Sequence, residues 1–281
     1  MPRRRALGSL QTVTSSVQSV DRALHLLEVL ASAPGDVAVK DAARAAGLHV
    51  STAHRLLTAL MARGFVDQDR HTARYRLGPK AVEIGHAAAA RWRDVRALAR
   101  PELEELVRRH NETANLVLLH SDEAVYVDQV PSTHMIRMFT TIGTRVPLHC
   151  TGCGKAMLAF LPEAEVERII QVKGLSRYTA NTITDAACLR RELEMIRTRG
   201  YAIDNEEREE GVRCVAAPIF RHPDVVIGAI SISGPASRLG EERVHQLGPE
   251  LVEATQRIST ALGAQAPSQT AATAAQSTPV S

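Results

Sequence analysis

The order of elements in residues 39–77 most restricts how this chain can fold. Within the stretch GLHVSTAHRLLTALMARGFV, apolar residues recur at helical spacing and form one face, consisting of Ala53, Leu56, Leu57, Leu60 and Met61. Gly47 suits the left-handed position that ends a preceding short helix, and Gly64 ends this one. Two short extended pieces follow, 65–68 and 74–77, joined by a polar connection. Helix, turn, helix and hairpin in this order predict a winged helix-turn-helix domain.

The opposite face of the longer helix carries side chains that can read DNA, namely Ser51, Thr52, His54, Arg55 and Thr58. A recognition helix needs small hydroxyls and a cation near its start, because that end enters the major groove. Arg55 can make a bidentate bond to guanine, and Ser51 or Thr52 can bond phosphate. The alternative is that Ser51 is only an N-cap and Arg55 a solvated side chain. The neighbouring turn and hairpin favour DNA reading.

Charge is distributed unevenly along the chain. Residues 1–80 carry twelve Lys and Arg against six Asp and Glu, whereas the remainder carries 22 against 25. Scattered surface charge is the alternative, but this asymmetry predicts that only the first part contacts a polyanion. Three arginines on or beside the hairpin are expected along DNA phosphates, namely Arg70, Arg74 and Arg76. Arg3 to Arg5 form an arm that can reach a minor groove, unless it is an idle basic leader.

Composition and apolar runs exclude several other classes of protein. No run of about 18 apolar residues indicates a membrane helix, and the amino-terminal segment lacks the apolar core of a secretory signal. We therefore expect a cytoplasmic protein with no membrane partner. Four cysteines are too few for a disulfide scaffold, so we expect them to be reduced.

Strands and helices alternate from about Asp94 onward. We expect strands over 115–119, 124–130, 214–220 and 225–233, and helices over 101–110, 163–171, 186–199 and 243–262. The last helix should break near Gly248 and Pro249. This pattern predicts an α+β domain in which helices pack on an antiparallel sheet.

These patterns divide the chain into five segments. We expect a flexible basic arm (1–15), the winged helix-turn-helix domain (16–78), an alanine-rich linker helix (79–98), the α+β domain (99–263) and a disordered tail (264–281). The tail consists of Ala, Ser, Thr, Gln and Pro, which cannot bury enough apolar surface to offset chain entropy.

Several long motifs resemble the IclR family of bacterial transcriptional regulators. They are VKDAARAAGLHVSTAHRLLTALMARGFV, RYRLG, PLHCTGCGKAMLAFLP, ITDAACLRRELEMIRTRGYAIDNEEREEGVRCVAAPIF and VVIGAISISGPASRL, and they span about residues 17–262. The resemblance implies a winged-helix DNA-binding domain, a linker helix and a GAF-like domain that binds a small organic-acid or aromatic-acid effector. It also implies homodimers or homotetramers on a palindromic, double-stranded operator, repression more than activation, and no enzymatic activity or cofactor.

The same resemblance implies which residues contact the effector. In relatives that bind small oxo-acids, the matching positions are Gly152, Cys153, Asp204, Cys214, Ser231 and Ser233. The strand pattern agrees, because Ser231 and Ser233 are two residues apart and point to one face, and Cys214 begins the strand that pairs with theirs. The alternative is that the serines satisfy one another on an exposed sheet face. This chain also departs from the family, which commonly has a small residue at Cys150 or Cys153.

The remaining motifs point to neither a metal site nor an enzyme. Cys150 and Cys153 have metal-like spacing with His149, but a second C-x-x-C is missing. TGCGKA lacks the first glycine and the final hydroxyl of a phosphate loop, and no G-x-S-x-G or H-E-x-x-H occurs. We read the acidic cluster of residues 206–210 as a solvated loop. A cysteine-based redox or metal sensor, or an enzyme domain fused to a DNA-binding domain, stays as the alternative.

Overall fold

The computed structural model describes residues 17–90, 92–222 and 225–263. The chain divides into two compact units, Met1–Arg91 and Trp92–Ser281. The expected arm (1–15) and tail (264–281) lie outside the described residues. Among the residues described, every helix is too short or too polar to cross a membrane.

The first unit is a winged helix-turn-helix domain, as the sequence predicts. It contains α1 (Gln18–Ser32), α2 (Val39–Ala45), α3 (Val50–Ala62), β1 (Val66–Gln68), β2 (Tyr75–Leu77) and α4 (Pro79–Ala90). Gly47 has a φ of +63° in the turn between α2 and α3, a conformation that costs glycine little. Strands β1 and β2 pair antiparallel as the wing, and Val37 adds a bridge to Tyr75. Leu26, Ala53, Leu57 and Tyr75 are among the buried residues of its core.

The second unit is the expected α+β domain. It contains α5 (Arg93–His110), β3 (Thr113–His120), β4 (Glu123–Val130), β5 (Arg145–Pro147), α6 (Gly152–Leu158), α7 (Glu163–Lys173), α8 (Ala186–Arg199), β6 (Ala202–Asn205), β7 (Val212–His222), β8 (Val225–Pro235) and α9 (Glu241–Ala261). The strands form one antiparallel sheet in the order β5-β4-β3-β8-β7-β6.

Helices cover both faces of this sheet. Alternate strand residues point to opposite faces, so Leu116 and Leu118 join a core with α5 and α9, whereas Val117 joins one with α6, α7 and α8. The sheet is therefore buried on both sides. Polar residues on the α6 side must accordingly find partners within the fold.

Two helix boundaries differ from the sequence prediction. The helix expected over 79–98 is two helices, α4 and α5, and α5 runs through Pro101 to His110. Proline inside a helix costs about 3 kcal/mol. Burial of Leu103 and Leu106 on α5 offsets this, because each fully buried leucine contributes about 1.5–3 kcal/mol.

The break expected near Gly248 and Pro249 is also absent, since α9 is continuous from Glu241 to Ala261. The glycine has a packing role instead. A Cβ at position 248 would lie 2.5 Å from ring carbons of Tyr201. Gly248 thus lets α9 approach Tyr201 closely.

We expect Gly248→Ala to destabilise the chain by about 1–3 kcal/mol, because the added methyl group overpacks this contact. Chemical denaturation followed by circular dichroism measures the loss. Gly85→Ala is the control, since a Cβ there meets nothing within 4 Å in the middle of α4. That change should be neutral or stabilising by up to about 1 kcal/mol. Equal effects of the two substitutions would contradict the packing role.

Candidate functional site

Helix α3 presents most of the predicted DNA-reading residues to solvent. Ala53 and Leu57 are buried, while Ser51, His54, Arg55 and Thr58 are exposed and Thr52 is half-buried. The exposed residues lie three or four positions apart, which places them on one side of the helix. The N-cap is His49, so Ser51 is a helical residue and the N-cap alternative is wrong.

Two of these side chains differ in whether their polar groups already form hydrogen bonds within the chain. The Thr58 hydroxyl donates to the His54 carbonyl oxygen at 2.9 Å, which leaves its oxygen as an acceptor only. The Arg55 guanidinium has no hydrogen bond or ion pair with any residue that the structure describes, and its five donors can all face a ligand.

The arginines of the wing lie beside a carboxylate that the sequence interpretation missed. Arg76 Nη1 is 3.3 Å from Asp36 Oδ2, and Arg74 Nη1 donates to the Asp36 carbonyl oxygen at 3.1 Å. Arg70 is exposed at the tip of the hairpin. Exposed ion pairs contribute at most about 1 kcal/mol, so a phosphate can displace Asp36 from Arg76. A contact 40 residues apart leaves no local signal in the sequence.

The register of the second unit's sheet brings the predicted effector residues together. Ser233 pairs with Cys214, and Cys214 pairs with Asp204, so the three form one row across β8, β7 and β6. Ser231 lies two residues from Ser233 on the same face. All four side chains therefore point toward α6.

Gly152 allows α6 to approach this row. A Cβ at position 152 would lie 2.8 Å from the Cys214 sulfur and 3.5 Å from the Ala216 Cβ. Thr151 caps the helix by accepting from the Gly154 amide at 3.1 Å. The next residue, Cys153, is buried and lines the same cavity as Cys214. Gly152 and Cys153, at the start of α6, thus lie close to the four strand residues.

Five of the six predicted residues line one small cavity of about 50 Å³, the exception being Ser231. The other lining residues, which sequence reasoning did not assign to the effector site, are Tyr126, Met138, Val146, Thr151, Arg208, Glu209 and Val212. They come from distant parts of the chain, so only the folded arrangement shows that they share a cavity.

Asn115 connects the two serines. Its Nδ2 donates to Ser231 Oγ at 3.3 Å and to Ser233 Oγ at 3.4 Å. Both serines are buried, so the interpretation of an exposed sheet face is wrong. Asn115 was missed because nothing in the local sequence indicates that it lies opposite Ser231.

The carboxyl group of Asp204 is buried beside another acidic residue. Its Oδ1 accepts from the amide of Glu207 at 2.7 Å and from that of Arg208 at 3.4 Å. Burial, and then the nearby charge of Glu207, raise the pKa of Asp204 to about 7. Near neutral pH this group is thus often protonated and able to donate a hydrogen bond to an anion.

Comparisons with known proteins identify the family of both units. The family model described as IclR helix-turn-helix domain matches residues 19–70, and that described as Bacterial transcriptional regulator IclR C-terminal matches residues 87–260. The chain belongs to the IclR family. It is therefore a DNA-binding transcriptional regulator and not an enzyme.

Individual IclR relatives cover nearly the whole chain. The transcriptional repressor IclR of Escherichia coli is 40% identical over 252 residues, which are 89% of this chain and 92% of that protein. The acetate operon repressor of Salmonella typhimurium is 37% identical, covering 92% and 95%. The crystal structure of IclR from Thermotoga maritima matches with a TM-score of 0.74 at 37% identity, covering 88% and 99%. An IclR homolog from Microbacterium hydrocarbonoxydans, complexed with 4-hydroxybenzoate, matches with a TM-score of 0.72 at 27% identity, covering 87% and 99%.

The acidic cluster of this IclR chain is not wholly solvated, which corrects the sequence interpretation. Glu207 is only 5% exposed and forms an ion pair with Lys155, which is 1% exposed. Glu192 lies 3.8 Å from the same ammonium group. A larger cavity of about 240 Å³ borders these residues, but its arginines are already paired, Arg199 with Glu192 and Arg213 with Glu206.

Cys150 and Cys153 are poorly suited to redox or metal chemistry. Burial raises the pKa of Cys150 to about 12 and the pKa of Cys153 well above its ordinary value, so both are neutral thiols at pH 7. Neutral thiols are weak nucleophiles. His149 Nε2 lies 3.0 Å from the Ser176 carbonyl oxygen. Within the described ranges, no three His, Cys, Asp or Glu side chains are grouped to hold a metal ion.

Asp204 should lower the free energy of unfolding as the pH rises. The folded chain keeps its proton up to about pH 7, whereas the unfolded chain releases it near 3.8. Its stabilising contribution to the folded chain is therefore complete below about pH 4 and is lost as the pH rises through 7. We expect Asp204→Asn to flatten the pH dependence of the unfolding free energy between pH 5 and 8.

Asp122→Asn is the control for this measurement. Arg168 holds the pKa of Asp122 below its ordinary value, so that carboxyl group does not titrate between pH 5 and 8. Urea denaturation at several pH values gives the slopes. Identical slopes for the wild type and Asp204→Asn would show that Asp204 ionises normally.

Proposed function

We propose that this chain is a ligand-responsive repressor that reads its operator with α3 and binds a small organic acid in the second unit. One observation carries the proposal: the sheet register and the close approach of α6 bring five of the six expected effector residues to one cavity. Two relatives named above are repressors, and the Microbacterium neighbour is complexed with an aromatic acid.

The proposed DNA contacts divide into two kinds. Arg55, with Ser51 and His54, would contact base edges in the major groove, because these side chains lie together at the start of an exposed helix face. Thr52, Thr58 and the wing arginines Arg70, Arg74 and Arg76 would contact phosphates, which fixes position without reading sequence.

We further propose that the regulator acts as a homodimer or homotetramer. A single reading helix contacts only a few base pairs, and two copies related by symmetry would read two half-sites about one helical turn apart. Residues 16–78 would form the DNA-binding part and 99–263 the effector-binding part. Residues 79–98, which contain α4 and the start of α5, would transmit the response.

The proposed effector site offers hydrogen-bond donors to an anion. The amide nitrogens of Gly152 and Cys153 have no hydrogen-bond partner among the residues described, as is usual at the start of a helix. The serine hydroxyls and a protonated Asp204 add further donors. The cavity is small, with two thiols in its wall, so a compact acid fits it better than an aromatic one. Effector binding would shift the population between two arrangements of the regulator.

Substitution of Arg55 tests the reading helix. We expect Arg55→Ala to weaken binding to an operator, selected from random duplexes, by about 1–3 kcal/mol, and to relax base preference at one position. Arg63→Ala is the matched control, because it removes the same charge from the far end of α3. Fluorescence anisotropy at fixed salt measures both. Equal losses on operator and random DNA for Arg55→Ala would contradict base reading.

Removal of both serine hydroxyls tests the effector site. We expect Ser231→Ala with Ser233→Ala to weaken binding of a responsive acid at least tenfold and to abolish its effect on DNA binding. Operator affinity without ligand should stay unchanged, because the serines lie in the other unit from α3. Calorimetric titration and anisotropy measure the two properties. An undiminished response would place the effector elsewhere.

A further inference from the structure

Asn115 lies at the centre of a polar network on the pocket side of the sheet. Strand β3 pairs with β4 on one edge and β8 on the other, which places Asn115 directly opposite Gln129 and Ser231. Its side chain is 1% exposed. A buried amide must satisfy both its donors and its acceptor within the fold.

The partners of Asn115 define which end of the amide faces the serines. Its Oδ1 accepts from Gln129 Nε2 at 2.9 Å and from Thr140 Oγ1 at 3.2 Å. Its Nδ2 therefore faces Ser231 and Ser233 as a donor. Gln129 Nε2 also donates to Thr140 Oγ1 at 2.5 Å, so the three side chains form a closed ring.

This polarity determines what the serines offer to a ligand. Each hydroxyl has one hydrogen and two lone pairs, and Asn115 occupies a lone pair on each oxygen. The hydrogen of Ser233, which lines the cavity, can then point at a ligand, whereas Ser231 lies beside Ser233 and does not line the cavity. If the ring reversed as a whole, Asn115 would accept both hydrogens, and the serines would present only acceptors. An anion is bound by the first arrangement and repelled by the second.

We propose that Asn115 is a positioning residue that orients the hydroxyls of Ser231 and Ser233 so that the Ser233 hydrogen points into the pocket, and so makes the pocket select carboxylates over their neutral amides. The inference rests on the effector function proposed above. An amide group brings its own N–H donors, which would meet donors in this pocket and remain unpaired. Sites of this kind discriminate strongly, because unpaired buried polar groups are costly.

The test compares carboxylates with amides of the same shape. The full chain is titrated calorimetrically with acetate, pyruvate and 4-hydroxybenzoate, and with acetamide, pyruvamide and 4-hydroxybenzamide. We expect the wild type to bind at least one carboxylate ten times or more tightly than its amide. The ratio of the two affinities is the readout, since partial unfolding lowers both affinities alike.

Two variants of Asn115 change the hydrogen bonds to the serines: one removes the donor, and the other replaces it with an acceptor. Asn115→Leu keeps the number and branching of the side-chain heavy atoms but has no polar atoms, and should lower the carboxylate-to-amide ratio at least tenfold. Asn115→Asp accepts both serine hydrogens, and should also raise the affinity for the neutral amide itself. A Coulombic effect of the new charge would weaken only the carboxylate, so this rise is specific to reversal.

Thr255→Val is the matched control. Thr255 is also buried, but it lies on α9 on the opposite face of the sheet, and its hydroxyl donates to the Val252 carbonyl oxygen and not to the serines. It should leave the ratio unchanged. Circular dichroism with chemical denaturation identifies variants whose second unit folds, and if Asn115→Leu does not fold, Asn115→Asp decides by its amide affinity.

The outcomes separate the two proposals. If the wild type binds no carboxylate of the panel in preference to its amide, the organic-acid function is overturned. If the wild type has the preference but folded Asn115 variants keep the same ratio, the positioning role alone is overturned. A ratio that falls in the Asn115 variants and not in Thr255→Val supports both proposals.

Discussion

The antiparallel pairing of β8 with β3 and β7 is the constraint on which the second unit's site depends. It places Ser231 opposite Asn115 and Ser233 opposite Cys214. A slip of one residue would turn every side chain of β8 to the other face. The serines would then enter the apolar core with α5 and α9, and Ile230 and Ile232 would face α6. Apolar burial on both faces therefore fixes the register that aligns the polar row.

The close approach of α6 to the row formed by Asp204, Cys214 and Ser233 depends on two residues of this helix. Gly152 lacks the methyl group that would clash with the Cys214 sulfur, and Lys155 forms an ion pair with Glu207. A buried ion pair adds little net stability, because desolvation of both charges offsets their attraction, yet loss of one partner costs about 3–5 kcal/mol. Since Glu207 also donates its amide to Asp204, the pair holds the segment that carries Asp204 against the pocket.

Sequence patterns predicted the features that are governed by local periodicity. The apolar spacing of α3 identified its exposed face, and the two-residue spacing of Ser231 and Ser233 identified theirs. Long-range partners left no such pattern: Asp36 beside the wing, Asn115 between the serines and Glu207 beneath Lys155 are set by tertiary packing. Local rules also failed where packing outweighs them, as at Pro101 in α5 and at Gly248 in α9.

The size of the proposed effector pocket limits how strongly a single effector molecule can act. Small ligands gain at most about 1.5 kcal/mol per non-hydrogen atom, so an acid with roughly six such atoms gains at most about 9 kcal/mol. A shift of a two-state equilibrium from 1:99 to 99:1 needs about 5.5 kcal/mol of differential affinity. For one small acid, over half of that maximum binding free energy would have to differ between the two states. Symmetric copies relax this demand, because each bound effector adds its own differential affinity to the same transition. A pocket as small as this one thus favours a regulator that switches as an oligomer.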